Sequence, residues 1–99
     1  MLNIKKTAEN GEAVFQLEGR LDTGSAPAFE AELKQSLDGV KSLVLDFEKL
    51  EYISSAGLRV LLSTQKIMNR QGSMKLVHVG EVIMEIFQVT GFSDILTIE

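Results

Sequence analysis

The chain has 99 residues, with ten Lys and Arg against fourteen Asp and Glu for a net charge of −4. That length fits one domain with one core. The absence of cysteine excludes disulfides, thiolate catalysis and cysteine zinc sites, and a single histidine, His78, excludes a multi-histidine metal centre. The acidic balance, with Lys and Arg scattered along the chain, argues against nucleic acid as a partner.

The segment from Leu2 to Lys6 alternates weakly and is expected to be an edge strand. Glu9-Asn10-Gly11 is turn chemistry, and Ala13 to Leu17 reads as the second strand of an antiparallel hairpin. A loop, Gly19 to Ser25, follows. Ser25 is placed as a helix N-cap and Pro27 in the first turn, where its missing N–H costs nothing. Ala26, Phe29, Leu33 and Leu37 make one apolar stripe on a helix of three to four turns that Gly39 ends. Leu43, Val44, Leu45 and Phe47 form an apolar run expected of a strand covered on both faces. Leu58, Leu61, Leu62, Gln65 and Met68 trace a second helix, closed by Gly72. Met74 to Val79 is the next strand, with His78 inside it. Val82, Ile83, Ile86, Phe87 and Val89 fit a short helix ending at Gly91, and Asp94 to Ile98 a last strand. Met68, Met74 and Met84 read as core filler. Strands alternating with helices imply parallel pairing after the opening hairpin, hence one mixed-sheet α/β domain over residues 1–99. No apolar run approaches the roughly 18–20 residues that span a bilayer, and Met1 to Lys6 lacks the apolar core of a secretion signal. A cytoplasmic location without membrane contact is expected.

Tyr52-Ile53-Ser54-Ser55-Ala56-Gly57-Leu58 sits where the third strand hands over to the second helix. Unpaired N–H groups and the positive end of the helix dipole collect there and favour an anion. Capping accounts for one serine and leaves the other unexplained. Ser55 is read as a phosphoryl acceptor and the turn as a docking surface, with Ala56 and Gly57 small enough for a partner's backbone to approach. No Gly-x-Ser-x-Gly elbow accompanies the serines, so a serine hydrolase is not supported. Asp22 and Asp46 read as turn or capping residues on turn preferences, and Asp46 has no acidic pair at the end of the first strand to complete the Mg²⁺ cluster of a phospho-aspartate receiver. Neither phosphate-loop signature occurs, which argues against a flavodoxin-like enzyme or nucleotide domain. No cofactor, metal or catalytic residue is expected.

Gly19-Arg20-Leu21-Asp22, Leu43-Val44-Leu45-Asp46-Phe47 and Tyr52 to Leu58 together resemble the STAS family, and within it the bacterial anti-sigma factor antagonists. The resemblance covers essentially the whole chain. It implies a mixed sheet of four or five strands with helices packed mainly on one face, and a monomer. It also implies partner switching. The dephosphorylated antagonist binds an anti-sigma factor that is a serine kinase and frees the sigma factor; phosphorylation ends the binding, and a PP2C-type phosphatase restores it. The family's acceptor follows an Asp in an Asp-Ser-(Ser/Thr)-Gly turn. Aligning on Gly57 places Ser55 at the acceptor, Ser54 at the Asp and Ala56 at the second hydroxyl, with Ser54 the alternative acceptor. Asp22, Thr23, Ser54, Ala56, Gly57 and Arg59 are then the expected partner contacts. The other readings are a STAS subunit of a lipid-transport ABC complex or stress-signalling scaffold, never modified at Ser55, and a regulator of some other pathway using the same cycle.

Overall fold

The computed structural model describes residues 2–99. Strands β1 (Leu2–Glu9) and β2 (Glu12–Leu21) form the expected antiparallel hairpin. Its two-residue turn, Asn10-Gly11, has positive φ at both positions (52° and 81°), the mirror-image geometry that matches strand twist. Helix α1 (Ala26–Ser36) leads to β3 (Ser42–Ile53), α2 (Ser55–Gln71) to β4 (Ser73–Val77), and α3 (Glu81–Thr90) to a 3₁₀ turn at Phe92–Asp94. The sheet order is β1-β2-β3-β4, with β2, β3 and β4 parallel. The expected fifth strand shrinks to a single bridge between Leu76 and Ile98, because Phe92–Asp94 coils instead.

Both crossovers step across the sheet in the same direction, which sets α1 and α2 on one face, where they touch. The core lies there. Phe15, Leu17, Leu43, Leu45, Phe47 and Leu76 meet Phe29, Leu33, Leu61 and Met68 from the helices. α3 packs on the same face, with the Phe87 ring 6.3 Å from that of Phe47. The expectation that β3 is covered on both faces is therefore corrected. Val44 is half-buried and Asp46 and Glu48 stand on an open face with Lys75 and Val77.

β3 also runs six residues beyond Phe47, the last residue of its apolar run. Two register shifts against β2 insert one extra residue each, between Asp46 and Lys49 and between Leu50 and Tyr52. Inward positions therefore fall at Phe47, Leu50 and Ile53, a spacing of three that strict alternation does not reveal. At the far end of α2, Gln71 Nε2 donates to the carbonyls of Leu37 (2.6 Å) and Val40 (2.7 Å), tying α2 to the α1–β3 connection. Met68 and Met74 are core residues and Met84 packs at its edge. α1 ends at Ser36, three residues before Gly39, and Gly72 and Gly91 close α2 and α3 as expected. On α3, Ile83 and Phe87 are buried, but Val82 and Val89 are 65% and 82% exposed, so the apolar sequence is wider than the face that packs. Among the described residues no helix is long and apolar enough to cross a membrane.

Candidate site at the β3–α2 turn

The two serines of the turn have different surroundings. Ser54 is the N-cap of α2: extended (φ −97°, ψ 175°), with its Oγ accepting from Gly57 N at 3.3 Å. Its own N–H donates to the Leu21 carbonyl at 2.9 Å. Ser55 is the first helical residue, exposed, and its hydroxyl makes no hydrogen bond among the described residues. α2 has no acidic residue in its first turn, so the positive end of its dipole is uncompensated beside Ser55. Ala56 is half-buried. Gly57 is buried, and a Cβ there would lie 2.8 Å from both Ile53 Cγ1 and Leu21 Cγ. The reason for its small size is thus internal, a close seat on Leu21 and Ile53, and not room for a partner as the sequence suggested.

The bond from Ser54 to Leu21 fastens the β2–α1 loop to the same end of the sheet, with Leu21 and Ile53 in register. Asp22 and Thr23 follow at once, Thr23 exposed. Asp22 Oδ1 accepts from the N–H groups of Gly24 (3.1 Å) and Ser25 (3.0 Å), so Asp22 has the loop-organising role expected of a turn residue. The Ser25 amide, with smaller help from its hydroxyl and from Gly24, holds the Asp22 carboxyl below the usual carboxylate range. Ser25 does not cap α1 with its side chain; its Oγ donates instead to the Arg20 carbonyl at 2.8 Å and accepts from Asp22 N. Beside this loop the Arg20 guanidinium lies 4.3 Å over the Tyr52 ring and 3.8 Å from Asp22 Oδ2. Arg20 and Tyr52 are register partners on β2 and β3, a pairing invisible before the bulges are known.

Arg59 is exposed one turn beyond Ser55. It heads a groove along α2 with Leu62, Ser63, Lys66, Ile67 and Arg70. The helix carries these three cations and no acid, and none of them enters an ion pair among the described residues. The cations that look scattered in sequence are gathered by the helix period into one stripe leading from Ser55.

His78 lies just past β4, not within it, with a left-handed backbone (φ 56°). Its Nδ1 is 3.0 Å from Asp46 Oδ1, which also accepts from Glu48 N. Partial burial pushes the Asp46 carboxyl up, but the Glu48 amide and His78 outweigh it and leave it low; the bond to Asp46, then its charge, raises His78. Asp46 is thus a mid-strand residue rather than a turn or cap. No serine is among the hydrogen-bond partners of this His–Asp pair. Asp46 stands eight residues, roughly 25 Å of strand, back along β3 from Ser54.

A four-stranded mixed sheet covered on one face, ending in a hydroxyl-bearing turn at a helix N-terminus, defines a small α/β domain. The family model described as the STAS domain matches residues 3–99, and the chain belongs to that family. It is 36% identical over 91 residues to BtrV of Bordetella bronchiseptica, named provisionally as an anti-sigma factor antagonist, covering 90% of this chain and 78% of BtrV. Its fold matches that of an anti-sigma factor antagonist from Mycobacterium paratuberculosis (TM-score 0.89, 22% identity, 99% of this chain and 85% of that one). It also matches the Bacillus anti-sigma factor antagonist SpoIIAA in its phosphorylated form (TM-score 0.75, 18% identity, 100% of this chain and 91% of that one).

Proposed function

We propose that this protein is an anti-sigma factor antagonist that works by partner switching. Unphosphorylated, it binds an anti-sigma factor that is itself a serine kinase and so releases the sigma factor. Phosphorylation of Ser55 ends that binding, and a PP2C-type phosphatase restores it. The observation that carries this reading is the division of labour at the turn: Ser54 is occupied as the cap, whereas Ser55 is exposed with an uncommitted hydroxyl at an uncompensated helix N-terminus. The names of the relatives, and a related fold solved in a phosphorylated form, support it.

The protein itself does no chemistry in this scheme; the kinase supplies ATP and Mg²⁺ and positions the hydroxyl. A phosphate adds about −1.5 to −2 charges at the turn, where the N-terminal N–H groups of α2 stabilise it in the free protein. In the complex the same charge must be buried or expelled. A penalty of a few kcal/mol lowers affinity by two or more decades, at about 1.4 kcal/mol for each tenfold step. Thr23, Ser54, Ala56 and Arg59 form the contact surface, with Asp22 holding its loop in place and Gly57 seating the turn from beneath. The basic stripe of Arg59, Lys66 and Arg70 extends the surface towards an acidic partner.

The test is the intact mass of the protein recovered from its own cells, with fragmentation of the peptide holding Ser54 and Ser55. A phosphate on Ser55, abolished in Ser55→Ala, is the expected result. A single unmodified species under growth and stress alike would overturn it in favour of a constitutive subunit of a larger assembly. Phosphate on Ser54 would keep the switch and move the acceptor.

A further inference from the structure

The open face of the sheet carries a second cluster, remote from the serine turn. Asp46 and Glu48 are two apart on β3 and so project from the same face. His78 joins them from the neighbouring strand, since Asp46 pairs in register with Val77, the last residue of β4. Continued extended chain would turn residue 78 towards the helices, the side taken by Met74 and Leu76. The left-handed backbone brings the imidazole to the open face instead. There Nδ1 stands 3.0 Å from Asp46 Oδ1 and 4.0 Å from Glu48 Oε2, and one ligand atom from each residue lies within 4.8 Å of the other two. The ring covers no core: its side chain is 60% exposed, and Glu48 has no other ion-pair partner among the described residues.

A tetrahedral ion with ligand bonds of about 2.0–2.2 Å holds its ligands roughly 3.3–3.6 Å apart. The separations of 3.0 and 4.0 Å from His78 Nδ1 straddle that range, and Glu48, the more distant ligand, is on an exposed side chain that can move to close the set. The donors also select the ion. Mg²⁺ and Ca²⁺ take oxygen shells, whereas an imidazole joined to carboxylates suits a borderline transition metal. We propose that Asp46, Glu48 and His78 form a binding site for a divalent transition-metal ion of the zinc class, with the remaining position open to water. A bound ion would clasp the middle of β3 to the segment that leads from β4 into α3. The site is independent of Ser55 and of partner switching.

Isothermal titration of the full chain with Zn²⁺, together with the imidazole NMR signals of His78, tests this. One ion per chain, saturable shifts of the His78 ring and a raised thermal midpoint are expected. His78→Asn, which tolerates the left-handed backbone but lacks the ring, should weaken binding at least tenfold, as should Glu48→Gln at its exposed position. No saturable binding below about 1 mM Zn²⁺ would overturn the proposal. So would unchanged affinity in His78→Asn, or equal binding of Mg²⁺.

Discussion

Ser54 and Ser55 carry the same hydroxyl on adjacent residues, yet only one of them holds the helix. Removing the cap leaves Gly57 N unpaired, so Ser54→Ala is expected to cost about 1 kcal/mol of stability by urea unfolding. Ser55→Ala should stay within about 0.5 kcal/mol. The reverse order would mean that Ser55 is the structural serine. Asp22 gives the residue scale a pH signature. Because its folded pKa is lowered, the stability it contributes is fully present above the usual carboxylate pKa, near 4, and is lost as pH falls through the folded value. Asp22→Asn keeps an oxygen to accept from Gly24 and Ser25 but removes the charge. Wild type should therefore exceed Asp22→Asn in stability at pH 7, with the difference closing below about pH 4 in parallel urea titrations. Both serines and Asp22 are visible in the sequence. Which serine caps is decided by backbone dihedrals, and these the residue names do not carry.

At the scale of elements, α2 shows how a turn is seated. Gly→Ala inside a helix ordinarily gains about 1 kcal/mol. At Gly57 the added methyl would press on Leu21 and Ile53 at 2.8 Å, and overpacking of this kind costs about 1–3 kcal/mol. Gly57→Ala is thus expected to lower the thermal midpoint, and a raised midpoint would contradict the close seat. The helices and the opening hairpin are legible because their periods are regular and Asn-Gly marks the turn. β3 is legible only as far as Phe47. Its bulges break the alternation, and with it the pairing of Arg20 to Tyr52 and the placement of Asp46 mid-strand. α3 misleads in the other direction: its apolar residues cover more than half the helix, while the sheet receives only the side bearing Ile83 and Phe87.

For the molecule as a whole, the proposed switch needs no change of shape. A negative charge at position 55 meets a helix N-terminus, an interaction worth about 0.3–1 kcal/mol in favour of the fold. Ser55→Glu should accordingly keep or slightly raise the thermal midpoint, by no more than about 8 °C for a domain of this size, while weakening the complex with the proposed kinase at least tenfold. Calorimetry and titration with the kinase read the two effects separately. A loss of folding in Ser55→Glu would show that the charge acts on the domain and not on the interface.

The strand order β1-β2-β3-β4 repeats the order of the sequence. No strand has to be slipped between two that have already paired. On a ribosome, each strand can therefore join the growing edge as it emerges, beginning with a hairpin closed by a two-residue turn. Each crossover helix is made before the strand it precedes, and so arrives in time to cover the newest apolar face. The serine turn lies at the start of the second crossover, between β3 and the helix that leads to β4.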